Sequence, residues 1–250
     1  MNAEARQGMT RPVHRAISVR GFSWGTAALA ALLALSACAP TQKVTKVDRL
    51  STAWESPRVL LMPPDIKFSA MTASGIVELQ AEWTQAARAN FLDAVDAFGK
   101  GHAVEIVRLP EDTVLSDVDL AHERLHAAVG ATILTNHFGL FKLPTKGGSF
   151  DWSLGPGVAA IRDHYDADYA LFSFYRNVQA TGGRIAMMML FAVAGIGLST
   201  GGQGGFGSLV DLNTGEIVWF NIVHAGTGDL RTPEGAARVV QQLFSGLPER

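Results

Sequence analysis

The sequence predicts an α/β domain: a single mixed sheet with helices packed on it, closing with a C-terminal hairpin and a helix. Three observations predict it. Short apolar runs bounded by Gly, Pro or Asn recur along the chain and carry strand patterning. Longer stretches between them repeat apolar residues at helical spacing. The two kinds interleave as β-α-β-α-α-β, an apolar segment, then β-β-α, an order that packs helices against a sheet.

Each element has its own signal. Arg58-Val59-Leu60-Leu61-Met62 is an apolar run stopped by Pro63-Pro64, hence a buried first strand. Ile76, Leu79, Trp83, Ala87, Phe91, Ala94, Val95 and Phe98 recur at helical spacing up to Gly99 and Gly101, giving a long amphipathic helix. Residues 102–108 alternate around Val104 and Ile106 and meet Pro110, a second strand. Ser116 caps a helix whose expected apolar face is Val118, Ala121, Leu125, Ala128, Val129 and Ile133. Residues 136–157, rich in Gly with Pro144 and Pro156, read as a long loop, followed by a short helix over 158–164.

The C-terminal half continues the pattern. Residues 168–178 form a strand with Tyr169, Leu171 and Phe172 in its core. Residues 206–212 and 216–223 flank Asn213-Thr214-Gly215, a hairpin turn. Strict alternation along this hairpin places Ile217 and Trp219 on one face and Val218 and Phe220 on the other. Thr232-Pro233-Glu234 starts the last helix with a capping hydroxyl, a first-turn Pro and an acid. Gly246 and Pro248 end it.

The N-terminus precedes this domain with a leader. Arg6, Arg11, Arg15 and Arg20 lead into an apolar run over 26–35, too short to cross a bilayer permanently. The run ends at Leu35-Ser36-Ala37-Cys38, which resembles the lipobox of bacterial lipoproteins: an aliphatic residue, two small residues, then cysteine. The expected organisation is a signal peptide over 1–37, a lipidated polar tether over 38–57, and a periplasmic α/β domain over 58–250. Translation from Met9 in place of Met1 would give a leader of more usual length. Two or three acyl chains on Cys38 would anchor the protein stably in the membrane. Ala39, where lipoproteins kept at the inner membrane carry Asp, points to the outer membrane.

Composition removes several function classes. Loss of residues 1–37 takes four Arg and one Glu, leaving 17 basic and 22 acidic residues. An acidic chain without clustered Lys and Arg is not built for nucleic acid. Cys38 is the sole cysteine, so neither an intramolecular disulfide nor a thiolate zinc site can form. No spacing indicates a Ser-His-Asp or Cys-His nucleophile, and the glycines lack the Gly-Lys-Ser/Thr ending of a phosphate loop, so no cofactor is expected.

One motif points to an enzyme. His122-Glu123-Arg124-Leu125-His126 is an H-E-x-x-H string on an expected helix. His122 and His126 at i and i+4 share a face, where both could ligate zinc with Glu123 as base of a metallopeptidase. Arg124 stands where such enzymes usually have an uncharged residue. The extended pattern fails, because Gly130 comes one residue late and His137 lies eleven residues past His126. Glu216 and Glu234 are distant third ligands, and Asp163, Asp166 and Asp168 are the remaining acids to weigh. Without metal, the two His sit at the edge of the apolar face, and Glu123 and Arg124 point to water.

A second segment stands out. Residues 185–198 hold no charge, include Met187-Met188-Met189, and are flanked by Gly pairs. They are shorter than a spanning helix. They read as a buried helix or covered loop, or as a surface meeting lipid or a sister subunit.

The stretch from Ser208 to Trp219, with its D-x-x-T-G-E-x-x-W hairpin, resembles periplasmic lipoprotein domains, as does Ala167-Asp168-Tyr169-Ala170-Leu171-Phe172 before it. These are the curli-secretion lipoprotein, the Pel-polysaccharide lipoprotein and the activators of penicillin-binding proteins. Residues 140–250 as a whole look like a set of uncharacterised bacterial lipoproteins. The resemblance implies a non-enzymatic binding or scaffold protein at the outer membrane, facing the periplasm. Such proteins are often homo-oligomeric or bound to other envelope proteins. Among the named families a membrane-inserting secretion component also occurs, but the alternation a channel strand needs is absent from 185–198.

The leader yields the first prediction. Cys38→Ala should accumulate as a full-length precursor that takes up no labelled fatty acid. Equal labelling of both proteins would remove the anchor.

Overall fold

The computed structural model describes residues 42–51, 57–101, 105–110 and 112–249, which form one mixed eight-stranded sheet with helices on both faces. The leader, Cys38 and residues 39–41 and 52–56 of the expected tether lie outside the described residues, as do His102 and Val104. The strands are β1 (Lys43–Thr45), β2 (Val59–Leu61), β3 (Asp65–Met71), β4 (Val77–Leu79), β5 (Ile106–Arg108), β6 (Tyr169–Ala180), β7 (Gly201–Asp211) and β8 (Ile217–Val223). The helices are α1 (Ala81–Lys100), α2 (Asp117–Ile133), α3 (Ala159–Tyr165), α4 (Gly182–Val193) and α5 (Pro233–Leu243).

The order is β1-β8-β7-β6-β2-β5, with β3 also paired to β6 and β4 to β3. β6 is the axis. On one side it pairs antiparallel with β7 from Tyr169 to Gln179. On the other it pairs parallel with β2 through Leu171, then parallel with β3 from Phe174 onward. The change of neighbour falls at Met62-Pro63-Pro64, where neither proline has an N–H to give a ladder.

Alternate residues of the sheet feed two cores. On one face Val59, Leu61, Leu171, Leu209 and Trp219 meet Phe91 and Val95 of α1 and Val239, Val240 and Leu243 of α5. Phe244 anchors this layer, edge-on to Phe91 at 6.1 Å and to Phe98 at 5.5 Å. On the other face Leu60, Met62, Phe172, Phe206, Val210 and Phe220 meet Ile133 of α2 and Ile161 of α3. The expected loop over 136–157 covers the same face with Phe138, Phe150 and Trp152 and contains short π- and 3-10 turns.

The structure corrects five expectations. Residues 43–45, expected in the tether, form β1 and close the β8 edge. Ile76 and Leu79, expected on the long helix, lie at the β4 hairpin and are exposed. The helix starts at Ala81 because Gln80 is still extended, its N–H bound to Phe68 O. The helix over residues 117–133 turns a different face inward. It buries Asp119, His122, His126, Gly130 and Ile133, leaving Val118 and Leu125 exposed. The reason is proximity: a Cβ on Gly130 would lie 2.0 Å from the Phe206 ring, so this helix sits too close to the sheet for bulky residues. Of the two readings of segment 185–198, the buried one is not met. The segment forms α4 and the turn after it, and no residue of α4 is buried.

The fifth correction concerns the hairpin. Leu209 pairs with Trp219, but Val210 pairs with Ile217, so Val218 is an inserted residue. This β-bulge breaks the alternation. Val218 and Trp219 both enter the α1/α5 core, while Ile217 and Phe220 enter the α2/α3 core. The turn itself depends on Gly215, at φ +78°, where a Cβ would lie 2.1 Å from Gly155 O.

Trp219 is fully buried and meets Phe244 edge-on at 6.4 Å. Trp219→Ala should therefore cost about 3–5 kcal/mol and lower Tm by roughly 10 °C. An unchanged Tm in thermal unfolding followed by circular dichroism would place the ring outside the core.

Candidate functional site

The residues of the H-E-x-x-H string are held by α2, and the sequence fixes where α2 starts. Ser116 accepts from Asp119 N at 3.2 Å, and the Asp119 carboxylate accepts from Ser116 N at 2.9 Å, a reciprocal capping box. Tyr165 O–H also donates to Asp119 at 2.9 Å. These contacts draw the first turn of α2 against α3 and set the rotation of the helix. His122 and His126 then face the protein interior.

The two imidazoles do not converge. His122 Nδ1 pairs with Val118 O at 2.8 Å, within its own helix. His126 Nε2 pairs with Ser208 Oγ at 2.5 Å. The His126 ring stacks on Phe172 at 5.0 Å and tilts against Phe206 at 5.3 Å. Burial pushes the His126 pKa down to about 3, Asp65 opposing only in part, so the ring is neutral. Ser208 and His126 are a hydroxyl–imidazole pair, but at 0% and 2% exposure they meet no substrate.

The acids weighed as third ligands are occupied elsewhere. Asp166 pairs with Arg58 at 2.5 Å, Asp163 with Arg162 at 2.8 Å and Glu216 with Lys46 at 2.7 Å. Asp168 accepts from Arg58 N at 2.9 Å. Glu234 sits in the first turn of α5. His137 packs edge-on against Phe138 and Phe150. Among the described residues no group of three or more His, Cys, Asp or Glu is placed to hold a metal.

Glu123 departs from the expectation that it points to water. It is half-buried, and its Oε1 is buried without a hydrogen-bond partner. Burial, then Asp65, pushes its pKa up from 4.5 to about 7; Asp119 adds to the rise, while Arg88 and Arg124 oppose it. A half-neutral carboxyl without a partner is a feature of functional sites.

Glu123 lines a cleft, a cavity of about 870 Å³. Its walls come from α1 (Thr84, Gln85, Arg88, Leu92), from the segment after β5 (Leu109, Pro110) and from α2 (Leu120, Glu123). Its floor is Met62-Pro63-Pro64-Asp65, where β2 leaves β6 and β3 joins it. The cleft thus opens at the carboxyl ends of the parallel strands β2 and β5, the usual ligand position in open α/β sheets. Its volume is that of a small-molecule site.

The charged groups around the cleft are unequal. Asp65 is tied down by Arg176 at 2.6 Å, whose guanidinium also lies over Phe174 at 3.9 Å. Arg108 pairs with Asp96 at 2.5 Å. Arg88 donates through Nε to Ile66 O at 3.3 Å while its residue stays largely exposed. The cleft therefore offers an apolar body, a guanidinium and a carboxyl of variable charge. Glu123 stood out in the sequence only as part of the H-E-x-x-H string, and Asp65, Thr84 and Arg88 did not stand out at all. Pro63-Pro64-Asp65 after a short buried strand was the available signal.

No family model matches the chain, and no curated protein matches it in sequence. Among solved structures it is similar to the PelC dodecamer from Paraburkholderia phytofirmans, at 10% identity and a TM-score of 0.35, covering 84% of this chain and 98% of that one. It is also similar to lipoprotein GNA1162 from Neisseria meningitidis, at 11% identity and a TM-score of 0.29, covering 67% and 80%. At this degree of likeness no residue role transfers.

The two perturbed groups of α2 act on stability in opposite directions. Between pH 4.5 and 7 the folded state holds the Glu123 proton and the unfolded chain does not, so this contribution is lost as pH rises. Between pH 6.5 and 3 the unfolded chain protonates His126 and the folded state does not, so this contribution is lost as pH falls. Glu123→Gln should flatten the profile of Tm above pH 4.5 and exceed the wild type at pH 8. Parallel profiles for the two proteins would return Glu123 to solvent.

Proposed function

We propose that the protein is a lipid-anchored binding or scaffold protein of the bacterial envelope, held at the outer membrane through Cys38, facing the periplasm and non-enzymatic. The observation that carries the binding part is the cleft at the carboxyl ends of β2 and β5, with the unpartnered carboxyl of Glu123 on its wall. A mainly apolar cavity with a guanidinium and a carboxyl on its wall suits the recognition of a ligand. The anchoring part is supported by the basic leader ending in Leu35-Ser36-Ala37-Cys38.

The peptidase reading has less support from the same residues. Zinc catalysis needs both imidazoles at one metal with an open position for water. His122 is turned back on its own helix, and His126 is locked between two rings under Ser208.

The test separates the readings. After detergent extraction from membranes and a chelator rinse, the protein should carry far less than one zinc per chain, with His126→Ala no different. It should leave membranes only with detergent, not with high salt. Stoichiometric zinc that disappears in His126→Ala would replace the binding reading with the peptidase.

A further inference from the structure

α4 and the turn after it form an exposed apolar surface. Ile185, Met189, Leu190, Val193 and Ile196 are 43%, 67%, 67%, 91% and 48% exposed. A helix this apolar is covered by something in its working state. None of the 14 residues over 185–198 has a side chain that can form a conventional hydrogen bond, and no Asp or Glu occurs between Asp168 and Asp211. Protein interfaces carry roughly one hydrogen bond per 100–200 Å² and a polar rim. A helix whose side chains from Ile185 onward are all apolar meets the requirements of hydrocarbon. Arg184, at the helix N-terminus, keeps a cation at the border, where it suits lipid phosphate.

The sheet register sets the direction in which β1 begins. β6 enters α4 and β7 leaves it, so α4 caps the end of the sheet at Ala180 and Gly201. β1 runs antiparallel to β8, with Lys43 opposite Asn221, and Asn221 lies opposite Gly207 on β7. The chain ahead of Lys43 thus points toward the α4 end. From the level of Gly207 to Gly201 is about 20 Å along the strand. The five steps from Cys38 to Lys43 reach at most about 17 Å. The acylated residue and α4 can therefore meet one plane. We propose that α4 lies in the lipid surface that holds the Cys38 acyl chains, a second contact that fixes the orientation of the domain on the membrane. This rests on the anchoring reading above. At 12 residues the helix lies in the interface and does not span the bilayer.

The test uses the full, processed chain. Acylation converts the Cys38 thiol to a thioether, so an introduced cysteine is the only free thiol. Leu190→Cys and Val193→Cys, with Asn213→Cys at the opposite end of the sheet, are labelled with a polarity-sensitive fluorophore. The parent chain labelled in parallel reads any free Cys38. The proteins are reconstituted in phosphatidylethanolamine–phosphatidylglycerol vesicles containing brominated lipid, and labelled palmitate reports acylation separately. Positions 190 and 193 should lose at least half their fluorescence to the quencher, and position 213 almost none. Acylated protein without quenching at 190 and 193 overturns the lipid face and leaves the anchor standing. Quenching without palmitate keeps the lipid face and removes the anchor. Contact between labels on two copies, without lipid quenching, gives the surface to a second copy and overturns the proposal.

Discussion

The two-sided pairing of β6 is the constraint on which the rest depends. One edge is continuous along β7, while the other is shared by β2 and then β3. A shared edge leaves a break, and Pro63-Pro64 fill it without asking for ladder hydrogen bonds. The cleft stands over that break, with Asp65 held at its margin by Arg176 reaching from β6. The far end of β6 continues into α4. One strand therefore connects the cavity and the exposed helix through a rigid element.

The inward face of α2 shows how close packing decides chemistry. Phe172 and Phe206 are large, and only small or flat residues fit between them and the helix. Gly130 gives room and His126 stacks, its nitrogen matched by Ser208. A buried imidazole with a partner costs little, whereas a charged one would cost much. The helix rotation that buries His126 also brings Glu123 off the solvent side and onto the cleft wall. The carboxyl's weak acidity is thus a by-product of how α2 packs.

Much of this was legible from local chemistry. Ser116 and Thr232-Pro233 marked two helix starts, and both caps are formed. Asn213-Thr214-Gly215 marked the hairpin, and Trp219 its core. The missed features depend on contacts distant in sequence. Periodicity chose the more hydrophobic face of α2, but the sheet's aromatics selected the face that could come closer. The bulge at Val218 leaves no trace in a strand that is apolar at almost every position. β3 and β4 were hidden because Ile76 and Leu79 fit the helical period of α1 by accident of spacing. Asp65 and Arg88 gain meaning only when α1 and the end of β2 face each other.

The short first strand has a mechanical consequence. β1 is joined to β8 by antiparallel pairs over Lys43, Val44 and Thr45, followed by Lys46 N to Val218 O at 2.8 Å. Lys43 begins β1 on the side of the sheet where β8 ends. A pull from that side drags β1 lengthwise past β8, so its hydrogen bonds are strained together in shear. A pull across the strand would unzip them one at a time. A load applied from that side would therefore be resisted by the whole edge at once.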